Sequence, residues 1–380
     1  MPVSRSTFVL LPALAMCLGW GLRGFIGGGP FGAMIPGAMV ALALCRLSGI
    51  EGSRAAVAAV FGAVGVGYGG EMTYGQTVGY AMDPATMWWG IGGLALKGAV
   101  WGLLGGVMIG YALTAETPTR GSTIGLAVVL IAATGIGWKL VNQPKIIYFS
   151  NPVDRPREEV WFGFLLAAIA ALVYLQLRGA IAPAWRFALC GLLGGGVGFG
   201  LGGWVQHWGR NYSGVPKLDW WKAMEFTFGF LFGAAMGWAA SRMPALPRSR
   251  REAMSGGGLW IEIAEGLALA CALYFIDPLV RIRFAYLALG SAALCWAVSR
   301  PAAAIQLALT TTYLAFVDDL YGEGAAWGPV RVAGLLTSGV MAWTVATAVR
   351  RRDRGWVWRA FLLITWAAVA VAILKALTIA

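Results

Sequence analysis

Charge is scarce in this sequence: only 12% of its 380 residues are Asp, Glu, Lys or Arg. A water-soluble domain carries roughly 25%, so a chain solvated on all sides is excluded. Histidine is nearly missing as well, with His207 standing alone, and no carboxylate cluster lies near it, so no metal is expected. The five cysteines (Cys17, Cys45, Cys190, Cys271 and Cys295) sit inside apolar runs without a CxxC pair. They read as small buried hydrophobes that say nothing of redox compartment. HExxH, GxSxG, Walker and dinucleotide signatures are absent, and no cofactor is expected.

Apolar sequence fills the space that charge leaves. Hydrophobic residues make up 59% of the chain, and mean hydropathy is +0.70. Apolar runs recur along the whole length at about the 20 residues a bilayer crossing needs. In lipid every backbone polar group must be paired internally, which leaves helices or a closed barrel. Barrel strands alternate apolar and polar positions, whereas these runs are apolar on every face. The reading is an all-α polytopic membrane protein with the lipid bilayer as its first partner. Arg5 and the apolar stretch from Phe8 resemble a signal peptide, but apolar character continues to Ile26, so a retained first span is expected.

About thirteen spans are expected, near 7–26, 31–49, 54–74, 88–113, 121–141, 159–177, 185–206, 220–240, 257–276, 281–298, 301–318, 327–349 and 357–377. The net charge of +12 does not indicate nucleic acid, because the arginines sit mainly in short connections between apolar runs. Their bias, densest at Arg350, Arg351, Arg352, Arg354 and Arg359, places the N-terminus in the cytoplasm and the C-terminus outside. A bacterial inner membrane is the expected location.

An internal repeat organises the first two-thirds of the chain. The stripe Gly102, Gly106, Gly110, Tyr111, Ala112 reappears as Gly229, Gly233, Gly237, Trp238, Ala239, and each follows a tryptophan pair, Trp88-Trp89 or Trp220-Trp221. Upstream, Gly65 to Gly69 corresponds to Gly196 to Gly200, and Gly19 to Arg23 corresponds to Gly135 to Lys139. With about four spans per copy, the repeats run parallel: residues 1–118 form one membrane unit, 119–245 a second and 256–380 a C-terminal block of about five helices.

The GxxxGxxxG stripes read as close helix packing. The span near 185–206 is denser still, with Gly191, Gly194, Gly195, Gly196, Gly198, Gly200, Gly202 and Gly203. Glycine costs about 1 kcal/mol relative to alanine in a helix, so this span and its counterpart near 54–74 are expected either to unwind part-way or to stay helical under dense packing. Paired glycine-interrupted spans in two repeats point to a transporter's binding site.

Polar residues gather at the ends of these spans: Arg23, Glu71, Tyr74, Gln76, Lys97, Lys139, Gln206, His207, Arg210, Lys222 and Glu225. Ionisable groups inside a membrane pair with one another, line a pathway or snorkel to the interface. Arg23–Glu71 and Lys97–Glu71 are the pairs expected if the charges only fasten helices. His207, among Trp204, Trp208 and Tyr212, reads as an interfacial histidine with a satisfied hydrogen bond, or as a proton carrier or base. The segments 142–159 and 208–219 are long enough to roof a site. Further along, Glu262 and Glu265 share a helix face, and Asp318, Asp319 and Glu323 cluster.

Three functions remain open on these grounds. The first is a transporter or channel-like permease for a small anionic or zwitterionic solute, because cations outnumber carboxylates in the candidate pathway. The second is a membrane-embedded enzyme acting on a lipid-linked or amphipathic substrate, with His207 as base. The third is a non-catalytic subunit of a membrane complex; homo-oligomers are also open.

Overall fold

A computed structural model describes residues 4–26, 29–113, 118–154, 156–215, 218–243, 285–300 and 355–379, with helical positions 264 and 268. The spans expected near 257–276, 301–318 and 327–349, the Glu262–Glu265 pair, the acidic cluster at 318–323 and Arg350 to Arg354 lie outside the described residues, as does Lys217.

Eleven α-helices and no strand are found among the described residues. They are α1 (Arg5–Ile26), α2 (Gly29–Ser48), α3 (Gly52–Gly69), α4 (Gly75–Met82), α5 (Met87–Ala112), α6 (Arg120–Gly137), α7 (Trp161–Leu177), α8 (Ala182–Tyr212), α9 (Trp220–Ser241), α10 (Ala285–Ser299) and α11 (Trp356–Ile379). A π-helical turn, Trp138–Asn142, extends α6. Helix α6 starts in a capping box between Thr119 and Ser122, and α9 starts where the Asp219 carboxylate accepts from the Lys222 N–H at 3.1 Å. Gly49 and Gly179, both at φ 67°, end α2 and α7 in the left-handed conformation that glycine adopts without strain.

Three described helices are long and apolar enough to cross a bilayer: α5, α8 and α6 with its π turn. Apolar stretches of 10–17 residues in α1, α2, α7 and α10 are shorter. Helix α8 carries the kind of surface that contact with lipid would require. Leu189, Leu193, Val197 and Leu201 form an exposed apolar stripe with Trp185 at one end and Trp204 and Trp208 at the other. At about 1.5 Å per residue the tryptophans stand roughly 28 Å apart, close to the ~30 Å hydrocarbon thickness, and tryptophan favours both membrane interfaces.

Six helices close a ring in the order α1, α2, α3, α5, α8, α9 and back to α1. Glycine makes most of these joints. A methyl group on Gly102 would overlap the Gly191 carbonyl oxygen, and one on Gly98 would overlap that of Gly195, so α5 and α8 touch backbone to backbone. The second stripe packs on α1: a Cβ on Gly229 would stand 2.6 Å from the Met16 carbonyl oxygen, and Gly233 and Gly237 meet Pro12 and Phe8 in the same way. Gly37 and Gly62 join α2 to α3. Helix association in lipid depends on such close approach.

Helix α8 does not unwind. It runs unbroken from Ala182 to Tyr212 because its glycines face two neighbours at once. Gly191 and Gly195 meet α5, while Cβ atoms on Gly194, Gly198 and Gly202 would come within 2.8, 3.0 and 2.7 Å of the Leu231, Phe228 and Met224 carbonyls of α9. Helix α3 is likewise continuous and ends only at Gly69, where a turn leads to α4. The two proposed copies are placed differently: α1 and α2 complete the ring, whereas α6 and α7 pack on each other, with α6 also on α10 and α7 on α5.

Candidate functional site

Lysine 97 lies on the face of α5 that meets α4, and its ammonium group is dry. Its Nζ donates to the Glu159 Oε1 at 2.7 Å, the Thr77 hydroxyl at 2.8 Å and the Thr73 carbonyl at 2.6 Å. Both side chains of the pair are 1% exposed. Three donors are all an ammonium has, so the expected Lys97–Glu71 pair does not form. Glu159 takes the place because residues 143–154 and 156–160 fold inward over α4 and α5. Its carboxylate also accepts from Ser150 Oγ at 2.9 Å and the Phe149 N–H at 3.2 Å.

The same segment is stitched to the α3–α4 turn. Thr77 Oγ1 donates to the Phe149 carbonyl at 3.0 Å, the Asn151 N–H donates to Gln76 Oε1 at 3.0 Å, and Thr73 Oγ1 donates to the Glu158 carbonyl at 3.1 Å. Phe149 fills the notch left by Gly93. Tyr148 donates its hydroxyl to the Arg157 carbonyl; burial first, and the Glu159 charge second, raise its pKa above the usual phenol value. Residues 143–154 and 156–160 therefore form a pinned cover whose fastening is Lys97–Glu159.

Arginine 23 has a different environment. It is 3% exposed, and its guanidinium carbon sits 5.0 Å from the Trp20 ring centre, 5.6 Å from that of Trp101 and 5.8 Å from that of Tyr74. Trp20 reaches it from the preceding turn of α1, three residues back, where side chains share a helix face. Trp101 comes from α5 and is fixed by donating its Nε1–H to the Val66 carbonyl at 2.7 Å. Tyr74 comes from the turn before α4. Beneath the guanidinium the ring is filled by aromatic contacts, Trp20 on Phe228 at 4.5 Å and Phe228 on Phe199 at 4.7 Å.

Cation–π contacts contribute about 0.5–2 kcal/mol each, against several kcal/mol for removing a cation from water. Hydrogen bonds normally supply the remainder, yet Arg23 Nε and Nη1 are buried without a hydrogen-bond partner among the described residues. The nearby carboxylate is Glu225. It accepts from the Tyr74 hydroxyl at 3.3 Å and from Lys222 Nζ at 2.8 Å, and no ion pair joins it to Arg23 among the described residues. The Lys222 side chain is 14% exposed and forms the rim; Glu225, Tyr74 and Arg23 follow inward.

The structure thus brings Arg23, Tyr74, Lys222 and Glu225 together. Lys97 and Gln76 belong to the pinned cover, and Glu71 is half-buried in the turn after α3. Gln206 is buried on α8, two turns along from Phe199, and its Oε1 has no hydrogen-bond partner among the described residues. His207 joins α8 to the end of α4, its Nδ1 lying 2.7 Å from the Ala81 carbonyl oxygen. Arg210 and Lys139 are exposed, and Lys139, on the π turn, does not reproduce the enclosure of Arg23. Sequence reasoning omitted Glu159, Trp20 and Trp101. Glu159 directly precedes the apolar run from Val160, a signal of the same kind as the ones that singled out Lys97.

Comparison with known proteins adds no identity: no protein-family model matches the sequence, and no curated protein or solved structure matches it.

Proposed function

We propose that this chain is a multi-pass membrane permease for a small anionic or zwitterionic solute. The observation that carries the proposal is Arg23. A buried cation whose Nε and Nη1 are unpartnered among the described residues, at one end of a helix ring and one layer below a lysine that is 14% exposed, attracts negative charge inward. Low-dielectric aromatic walls strengthen that attraction. On this reading the aromatic contacts beneath Arg23 close the path to one side, as alternating access requires of one state. About thirteen spans in two parallel repeats plus a C-terminal block, with the N-terminus cytoplasmic in a bacterial inner membrane, complete the proposal.

Uptake by proteoliposomes tests it. Purified full-length protein is reconstituted, and entry of labelled lactate, alanine and phosphate is compared with entry into protein-free vesicles. Saturable, protein-dependent entry of lactate or alanine supports the permease; the absence of entry for all three removes it. A non-catalytic subunit of a membrane complex is the second reading, favoured by the dry Lys97–Glu159 pair, which fastens the cover and leaves no ammonium donor free to bind. It predicts no uptake and a stable partner that co-purifies with the chain.

A further inference from the structure

We infer that Arg23 is the seat of a binding site for a small monovalent anion of the carboxylate class, rather than for a zwitterion or a multivalent anion. The inference rests on the permease reading only for its physiological purpose; the site itself stands on geometry.

Local charge decides the class. Arg23 and Glu225 are the ionised side chains that flank Tyr74, with Lys222 paired to Glu225. Lys222 and Glu225 pair with each other at 2.8 Å, and no ion pair engages the positive charge of Arg23 among the described residues. One negative charge balances it, whereas phosphate would bring a second charge into an apolar enclosure with no further unpaired cation among the described residues to meet it.

Acceptor capacity argues against a zwitterion. Its ammonium group needs a carboxylate, and both oxygens of Glu225 are engaged, Oε1 by the Tyr74 hydroxyl and Oε2 by Lys222. The faces of Trp20, Trp101 and Tyr74 already hold the guanidinium, so they do not serve as a cage for a second cation. What the site offers instead is donors. Arg23 Nε and Nη1 are unpartnered among the described residues, at a side chain 97% buried by its 3% exposure. Charge-assisted bonds from arginine to carboxylate oxygens are the strong kind, and desolvated surroundings leave little competition from water. Phe199 and Trp221, packed on Tyr74 at 5.3 and 5.9 Å, supply apolar surface for the short hydrocarbon part of such a ligand.

Lactate and alanine share a carbon skeleton and differ in hydroxyl against ammonium, so they form the discriminating pair of probes. Binding to the detergent-purified full chain is measured by calorimetry with lactate, acetate, alanine and phosphate. Lactate and acetate should bind and compete with each other, and alanine and phosphate should bind at least about tenfold more weakly. Arg23→Gln should weaken lactate by roughly 10- to 100-fold, the loss of one or two charge-assisted bonds, with Arg23→Lys in between. Glu225→Gln provides a second test if Arg23→Gln does not fold. A monoanion site tightens its lactate affinity in that variant, because Lys222 loses its counter-charge, whereas a zwitterion site loses alanine. Alanine bound as tightly as lactate, or lactate affinity unchanged in Arg23→Gln, overturns the inference. Lactate binding that needs Arg23 without uptake by proteoliposomes upholds the site and removes the permease. Uptake indifferent to Arg23→Gln does the reverse.

Discussion

Lys97 and Glu159, 62 residues apart in sequence, meet as a dry ion pair 2.7 Å long and bind the cover of residues 143–154 and 156–160 to the ring. Breaking one partner leaves the other charged and buried, which costs about 3–5 kcal/mol, whereas replacing both by neutral groups is often close to neutral. Lys97→Met alone should therefore lower the unfolding temperature sharply. Lys97→Met combined with Glu159→Gln should recover most of the loss. Thermal unfolding in detergent measures both, and a double variant no more stable than the single one would show that the pair is not what the cover depends on.

Glycine packing makes a second, separable prediction. Gly102→Ala places a methyl group against the Gly191 carbonyl oxygen, and backbone cannot swing aside as a side chain does. The helices must part, at a cost of about 1–3 kcal/mol typical of overpacking. Gly92→Ala lies on the same helix with nothing within 4 Å of the added carbon, and it should leave stability unchanged or slightly raised. Equal effects of the two substitutions, read by the same unfolding assay, would contradict the backbone-contact account of α5 and α8.

The fold was legible in the sequence where local chemistry is self-sufficient. Apolar run length placed α5, α6, α7 and α9 within a few residues of their observed bounds, whereas α8 runs six residues past the expected end at 206, and GxxxGxxxG marked the faces that pack. The partner of each face was not legible, because Gly102 carries no information about Gly191. Of the two outcomes open for α8, the continuous helix is the one found, because its glycines pack against two neighbours at once. At the site, Arg23 was visible as a charge in an apolar run. Its enclosure was not, since Trp101 and Tyr74 arrive from other elements. Glu71 was preferred to Glu159 as the partner of Lys97 because nothing local reveals that residues 143–154 and 156–160 fold inward.

The lipid-facing stripe of α8 predicts a depth profile. Cysteines introduced singly at Trp185, Leu193 and Trp204 in a background lacking native cysteines should react with a water-soluble maleimide readily at the two ends and at least about tenfold more slowly at Leu193, which lies near mid-bilayer on the ~30 Å scale. Leu193→Arg should cost about 2.5–3.5 kcal/mol of insertion and reduce the amount of protein recovered from membranes. Fast labelling at Leu193 would mean that this face of α8 meets water or protein instead of lipid.

His207 is predicted to hold rather than to react. Its Nδ1 lies 2.7 Å from the Ala81 carbonyl oxygen, a hydrogen bond worth about 0.5–1.5 kcal/mol net. His207→Ala should lower thermal stability by about that amount, and the pH profile of lactate uptake should keep its shape. A profile that changes shape between mildly acidic and neutral pH in this variant, with the fold intact, would restore His207 as a proton carrier.

Whether Arg23 receives the solute is decided by lactate uptake into proteoliposomes holding either the native chain or Arg23→Gln. Uptake is measured at mildly alkaline pH, with the passive leak of protein-free vesicles subtracted. Saturable uptake is expected from the native protein, with a fall of at least about tenfold in uptake at subsaturating lactate for the variant, the kinetic image of one lost charge-assisted bond, both proteins being folded and equally reconstituted. Equal uptake by the two proteins, or uptake by the native chain no greater than the passive leak, would contradict that role for Arg23.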